Sequence, residues 1–421
     1  MLVTQPESIE RQARGPRIGL AIAGGGPVGL VYEIGALRAL DEALEGIDFN
    51  HLDVYVGVSA GAVMAALLAN RFKTSQICHI FISNESEEHP IDPQMFLMPA
   101  FSEYWRRLSS VPGLLWQSFW RYVQNPFDLS LLQSLTRLGQ ALPAGFFDNA
   151  PIHDYLARMW SAPGRTDDFR QLPNKLYVVA VDLDTGESVE FGAPGHDEVP
   201  ISRAVQASTA LPGLYPPVEI GGRYFVDGAL QKTMHASVAL REGLDLLLCI
   251  NPLVPFDARL AARAGQPAQM GRLQEGGLPV VLSQMFRALI HSRLQVGMQK
   301  YDSEFEHSDV VLFEPDRDDA KMFFTNVFSF SGRDWVCEHA YQTTRQDLLA
   351  RRAELEPILA RHGIRMRLDV LEDPDRRYYT GLRTPQGLAG PAKYRGQLAR
   401  DLHTALDQLQ EIVSAPTEPR R

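Results

Sequence analysis

The sequence predicts a three-layer α/β/α fold with a mainly parallel central sheet. Three observations carry that expectation. Residues 17–23 and 53–58 are short, mostly apolar runs of strand length. Each is followed by helical spacing: Leu30, Ile34, Leu37, Ala39 and Leu44 after the first, and Ala62 to Leu68 after the second. Strand, helix, strand and helix in quick succession is the pattern of parallel strands whose crossover helices cover both faces of a sheet.

The remaining elements follow in order. Residues 176–182, a turn at Asp184-Thr185-Gly186 and residues 188–191 give a hairpin signal. Residues 201–210 read as a short helix and 211–217 as a rigid Pro-rich loop. Residues 223–226 read as a strand running into Asp227-Gly228-Ala229. Two more buried strands are expected at 246–250 and 309–313, with a Gly/Ala/Gln-rich loop at 255–278 and a helix near 280–301 between them. After Pro315 the chain reads as mostly helical to about residue 362, then charged and Pro-rich. The expected organisation is a polar, disordered segment 1–15, a main domain 16–316 with a helical insertion at about 90–150, and a helical C-terminal extension 317–421 packed on it.

Composition narrows the function. A 421-residue chain with 45% hydrophobic residues buries a full core. A formal net charge of −10 argues against a nucleic-acid binder. Cys78, Cys249 and Cys337 are odd in number and far apart in sequence, which suits a reducing compartment and excludes a disulfide framework or a Cys-rich zinc site. Ala21-Ile22-Ala23 imitates a signal-peptide cleavage site, but only Ile18-Gly19-Leu20 precede it as an apolar run, so the stretch reads as a buried strand. No apolar run reaches the ~18 residues that span a bilayer. The expectation is a cytoplasmic protein, with peripheral membrane contact through residues 104–122 as the alternative to an insertion packed on the core. There Tyr104, Trp105, Trp116, Phe119, Trp120 and Tyr122 are mixed with Arg106, Arg107 and Arg121, a composition that suits a water–lipid boundary. A helical insertion packing its aromatics on the core gives the same composition, and a lid would satisfy both.

The chemistry centres on Ser59 in Gly57-Val58-Ser59-Ala60-Gly61, set between a strand and a helix. That is the layout of a nucleophile elbow, in which Gly57 and Gly61 permit the sharp turn and the close approach of substrate. The expected class is a serine hydrolase. Gly24-Gly25-Gly26-Pro27-Val28-Gly29 satisfies G-x-G-x-x-G, but Gly57-Val58-Ser59 stands where a dinucleotide fold wants an acid at the end of the second strand. The loop reads better as an oxyanion hole of backbone N–H groups from Gly24, Gly25 and Gly26. Pro27 cannot donate, which favours Gly25 and Gly26. Ser59 needs a base. Of the eleven histidines, none sits in an obvious loop motif after a late strand, and His235 and His291 read as structural or surface residues. Asp227, at a strand end before Gly228, is placed to reach a neighbouring elbow, although an Asp-Gly pair is also an ordinary turn.

Taken in order, the glycine loop, the elbow and Asp227-Gly228-Ala229 resemble the patatin-like phospholipases. Residues 181–187 (Val-Asp-Leu-Asp-Thr-Gly-Glu) and 207–217 (Ala-Ser-Thr-Ala-Leu-Pro-Gly-Leu-Tyr-Pro-Pro) add to the likeness, which spans roughly residues 17–230. The resemblance implies a Ser59–Asp227 dyad acting on an acyl lipid through an acyl-enzyme, with Asp227 as general base and no metal or cofactor. Asp316, Asp318 and Asp319 lack a calcium-loop pattern and read as a solvated turn. Val28 stands where the family's loop commonly carries Lys or Arg. It offers no cation for an anionic head group, whereas a hole made of backbone does not depend on it. Acyl transfer to an alcohol, or a catalytically weak lipid-binding regulator on the same scaffold, are the alternatives.

Overall fold

The computed structural model describes residues 15–83, 98–100, 144–263, 265, 273–325 and 332–382. The chain divides into a unit Met1–Tyr378 and a second unit Tyr379–Arg421, of which residues 379–382 are described. Residues 1–14, the aromatic stretch 104–122, most of the 90–150 insertion and residues 383–421 lie outside the described residues.

Ten strands are described: β1 (Ile18–Ile22), β2 (Leu44–Glu45), β3 (Val54–Val58), β4 (Lys175–Asp182), β5 (Ser188–Phe191), β6 (Val218–Ile220), β7 (Arg223–Asp227), β8 (Leu246–Ile250), β9 (Asp309–Phe313) and β10 (Arg365–Met366). Eight form one sheet in the order β6-β7-β4-β3-β1-β8-β9, with β5 also on β4. β2 and β10 make a separate antiparallel pair. β4, β3, β1, β8 and β9 run parallel, β5 and β7 pair antiparallel with β4, and β6 pairs antiparallel with β7. Every residue of β1, β3 and β8 is buried, as parallel strands covered on both faces require.

The helices are α1 (Gly26–Ala43), α2 (Ala60–Ala69), α3 (Thr74–Cys78), α4 (Ala150–Trp160), α5 (Ile201–Ser208), α6 (Ala236–Leu240), α7 (Ala258–Arg263), α8 (Gly277–Glu304), α9 (Ala320–Phe324), α10 (Arg333–Ala350), α11 (Arg352–Arg361) and α12 (Leu368–Leu371). Side chains alternate across the sheet. On one face Ala21, Val56, Val58, Val179 and Cys249 pack with α6 and with Leu294 and Tyr301 of α8. Gly57 points to the other face, where a Cβ would lie 2.4 Å from Gly61 O. The absence of that Cβ lets α2 cross directly over β3. α1 packs beside α2, and α10 packs along α1.

Two local expectations change, and one contact between distant residues is added. Residues 255–278 are not all loop: residues 258–263 (Ala-Arg-Leu-Ala-Ala-Arg) form α7 because Asp257 accepts from the Arg259 N–H at 3.0 Å, capping good helix formers. Asp319 is not a solvated turn residue. It caps α9 by accepting from the Met322 N–H at 3.0 Å and also bonds His339. Cys78 and Cys337, distant in sequence, are buried free thiols whose side chains meet.

α10 also closes the far end of the unit. Arg345 is buried, and its Nη2 donates to the carbonyls of Val370, Leu371 and Asp373 at 2.6, 3.0 and 2.6 Å. Those carbonyls have no acceptable donor inside the four-residue α12, so the guanidinium supplies it. Arg345→Met keeps the stem but strands three acceptors. It is expected to cost about 3 kcal/mol in urea unfolding, and a change under about 0.5 kcal/mol would show that water replaces the bonds.

Candidate active site

Strand register builds the site. β3 pairs with Lys175–Val179 of β4, with Val58 opposite Val179. β7 pairs with Ala180–Asp182, with Asp227 opposite Ala180. β5 takes Val178–Val181 and so occupies the opposite edge. β3 and β7 therefore share one edge of β4, run in opposite directions, and meet at their C-terminal ends. The last residue of β7 and the residue after β3 face each other there. Ser59 Oγ donates to Asp227 Oδ2 at 2.6 Å.

Ser59 is held in a strained backbone, with φ 53° and ψ −122°, as the residue before α2. Such strain persists only where the surroundings over-determine it. The Ser59 N–H donates to Ser208 Oγ at 2.8 Å, and Ser208 Oγ donates to Val179 O at 2.6 Å. The end of α5 is thereby tied to both the elbow and β4. A Cβ on Gly61 would lie 2.3 Å from Ile22 O, so the elbow also rests directly against β1.

Asp227 is fixed just as firmly. Its Oδ1 accepts from the Ala229 N–H at 2.9 Å, and its own N–H donates to Ala210 O at 3.0 Å. It is 2% exposed. Burial pushes its carboxyl up to about 6, against the hydrogen bonds from Ser59 and Ala229 that pull it down. The result is a carboxylate that is still mostly ionised at neutral pH but a better proton acceptor than an ordinary aspartate.

The glycine loop lies against the serine. A Cβ on Gly24 would sit 2.9 Å from Ser59 Cβ, so only glycine fits. The Gly24 N–H, expected as a donor to substrate, instead donates to Thr233 O at 3.2 Å. Among the described residues the N–H groups of Gly25 and Gly26 have no protein partner. Gly26 adopts φ 61° at the start of α1, where Pro27 occupies the first turn. Val28 is buried in α1 and presents no charge.

The histidines stand apart. His235, just before α6, is buried with its Nε2 3.4 Å from Gly228 O, and burial pulls its imidazole down to about 4. His291 is buried in α8 with neither ring nitrogen hydrogen-bonded. Asp227 is the group that bonds Ser59 Oγ. Among the described residues no group of three or more His, Cys, Asp or Glu side chains is placed to hold a metal ion, and no helix is long and apolar enough to cross a membrane. A cavity of about 500 Å³ runs along β9, lined in part by Glu314, Arg317 and Arg351, away from the dyad. Ser208 and Thr233 received no role from the sequence. Ser208 lies inside the 207–217 motif, which was a usable signal, whereas nothing local marks Thr233.

Comparison with known proteins adds the family. The patatin-like phospholipase family pattern matches residues 20–240. An uncharacterized NTE family protein of Mycobacterium tuberculosis (strain CDC 1551 / Oshkosh) is 25% identical over 246 residues, covering 58% of this chain and 32% of the relative. Another, of Mycobacterium bovis, is 26% identical over 249 residues with the same coverage, 58% and 32%. The chain thus spans about a third of the length of these curated relatives. VipD from Legionella pneumophila aligns over 80% of this chain and 67% of its own at 14% identity and a TM-score of 0.35. The type III effector ExoU aligns over 81% and 54% at 18% identity and a TM-score of 0.34. The family pattern takes in more than half of the chain, from β1 through the Asp227 turn, and on that ground the chain belongs to the patatin-like phospholipase family.

Proposed function

We propose that the chain is a lipid acyl hydrolase that cleaves carboxylic ester bonds through Ser59 and Asp227. The observation that carries this is the 2.6 Å bond from Ser59 Oγ to a buried carboxylate whose other oxygen is held by the Ala229 N–H. Asp227 Oδ2 takes the Ser59 proton as Oγ attacks the ester carbonyl. The tetrahedral oxyanion is stabilised by the N–H groups of Gly25 and Gly26, each donor worth ~3 kcal/mol in a site of this type. Collapse expels the alcohol, which leaves with the proton from Asp227. Water then gives a proton to Asp227 and attacks the acyl-Ser59, releasing the acid and restoring the dyad.

An aspartate suffices because of where it is buried. Raising its pKa from 3.8 to about 6 is a roughly hundredfold gain in basicity. The leaving group is an alkoxide rather than an amine, so the acid formed at Asp227 is strong enough to protonate it as it departs.

Ser59→Ala and Asp227→Asn are each expected to lower p-nitrophenyl ester turnover by about 10³-fold or more with folding retained. His235→Asn and His291→Gln should stay within about threefold of wild type. A large loss in either histidine variant would return a histidine base to the mechanism.

The active form has Asp227 ionised, so kcat/KM is expected to rise with pH through about 6 and then level. A flat profile between pH 5 and 7 would contradict this role for Asp227. Stability runs the other way. The folded pKa lies above the unfolded value, so the folded state binds the extra proton between pH 4 and 6. The wild type therefore loses stability as pH rises through that window. Asp227→Asn should match wild type near pH 4 and exceed it by on the order of 3 kcal/mol above pH 7 in chemical unfolding.

A further inference from the structure

Helix α8 carries polar side chains on its inner face beside Ile290, Leu294 and Tyr301. Gln284 bonds the Phe256 backbone through both N and O, at 3.1 and 2.8 Å. Arg287 is buried beside Phe323 with Nη1 3.4 Å from Val254 O, and His291 is buried as well. A second set of apolar side chains turns outward. Leu278, Leu282, Met285, Leu289 and Val296 are between 53% and 70% exposed. They recur at steps of four, three, four and seven residues, so they form one row along the helix. On a surface helix in water the outward face is polar.

The stretch from Gly277 to Tyr301 that carries the row holds no acidic residue, although the whole chain carries −10. Its exposed cations are Arg293 and Lys300, both toward the C-terminal end, and Lys300 pairs with Glu304 of the same helix at 2.9 Å. The row is also joined to the dyad. Arg293 Nη1 donates to Gln231 O at 2.8 Å, and Gln231 follows Asp227 by four residues. Leu230, between them, is 38% exposed.

We propose that the outward face of α8 docks on a lipid bilayer surface, with the apolar row set among acyl chains and Arg293 at the level of the head groups. It rests on the reading of the substrate as a membrane lipid, because docking there holds the Asp227 turn against the layer that supplies the ester. Apolar insertion accounts for the outward leucines, which a soluble small-molecule esterase has no use for. No acid lies between Gly277 and Tyr301, so the stretch that carries the row adds no repulsion of its own at an anionic surface. A helix lying flat in the interface with one apolar face buried is the geometry this row fits.

The test is the full chain carrying Leu282→Asp, Met285→Asp and Leu289→Asp together, with the single variant Leu289→Gln as a milder change. Three quantities are read: co-sedimentation with vesicles of phosphatidylcholine and phosphatidylglycerol, turnover of soluble p-nitrophenyl butyrate, and Tm. Vesicle partitioning is expected to fall at least about tenfold in the triple variant and less in Leu289→Gln, with soluble-ester turnover and Tm held at wild-type values. Unchanged partitioning overturns the proposal. A lowered Tm overturns it too, because it would mean that protein covers this face, as would a loss of dimer in size-exclusion chromatography with partitioning unchanged. Wild-type chain that binds vesicles through this row but hydrolyses neither soluble nor vesicle esters would sink the hydrolase reading and leave the docking intact.

Discussion

The bond between Ser59 Oγ and Asp227 Oδ2 depends on two strands stopping at the same place. β4 is long enough to serve β3 over its first half and β7 over its second, on one edge. Because these partners run in opposite directions, their C-terminal ends abut, and the residues at those ends are the serine and the aspartate. A one-residue slip of β7 on β4 would turn Asp227 to the other face of the sheet, and a slip of β3 would carry Ser59 away from it. The surrounding small residues then follow from steric need. A Cβ on Gly228 would lie 2.3 Å from Val179 O, and one on Gly24 would meet Ser59 itself.

Burial at this junction has two opposed effects. It strengthens Asp227 as a base, and it places an ionised carboxylate where water cannot solvate it. The Ala229 N–H and the Ser59 hydroxyl supply the two bonds that make the charge tolerable. Ser208 has a parallel task for Ser59. By accepting the Ser59 N–H and donating to Val179 O, it holds the positive-φ turn without taking the hydroxyl. The strain at Ser59 and the buried charge at Asp227 are thus both carried by hydrogen bonds from β4, α5 and the Asp227 turn.

Much of this could be read in the sequence. The strands at 188–191, 246–250 and 309–313 lie where the pattern places them: 246–250 is an unbroken apolar run buried throughout, 188–191 alternates with Val189 and Phe191 buried, and 309–313 is apolar after Asp309. Ser59 announces itself by glycines on both sides, and Asp227 by the apolar strand before it and the glycine after it. What stayed hidden depends on pairing between distant segments. No local pattern shows that β7 continues the edge that β3 leaves, or that Thr233 takes the Gly24 N–H. The contact of Cys78 with Cys337 needs α10 laid along α1, and the helix at 258–263 needed Asp257 to be recognised as a cap. The helix at 280–301 was legible as a helix, but its orientation was not. Met285 and Leu289 would normally mark a buried face, and only the packing of Gln284 and Arg287 inward shows the reverse.

Covalent labelling tests the dyad most directly. A fluorophosphonate needs an activated serine but no particular lipid, so its rate isolates the proton transfer from substrate recognition. With the adduct located by mass spectrometry, label is expected on Ser59 in the wild type and at least about a hundredfold slower in Asp227→Asn. Label on another serine, or wild-type labelling of Ser59 in Asp227→Asn, would contradict a mechanism in which Asp227 is the base.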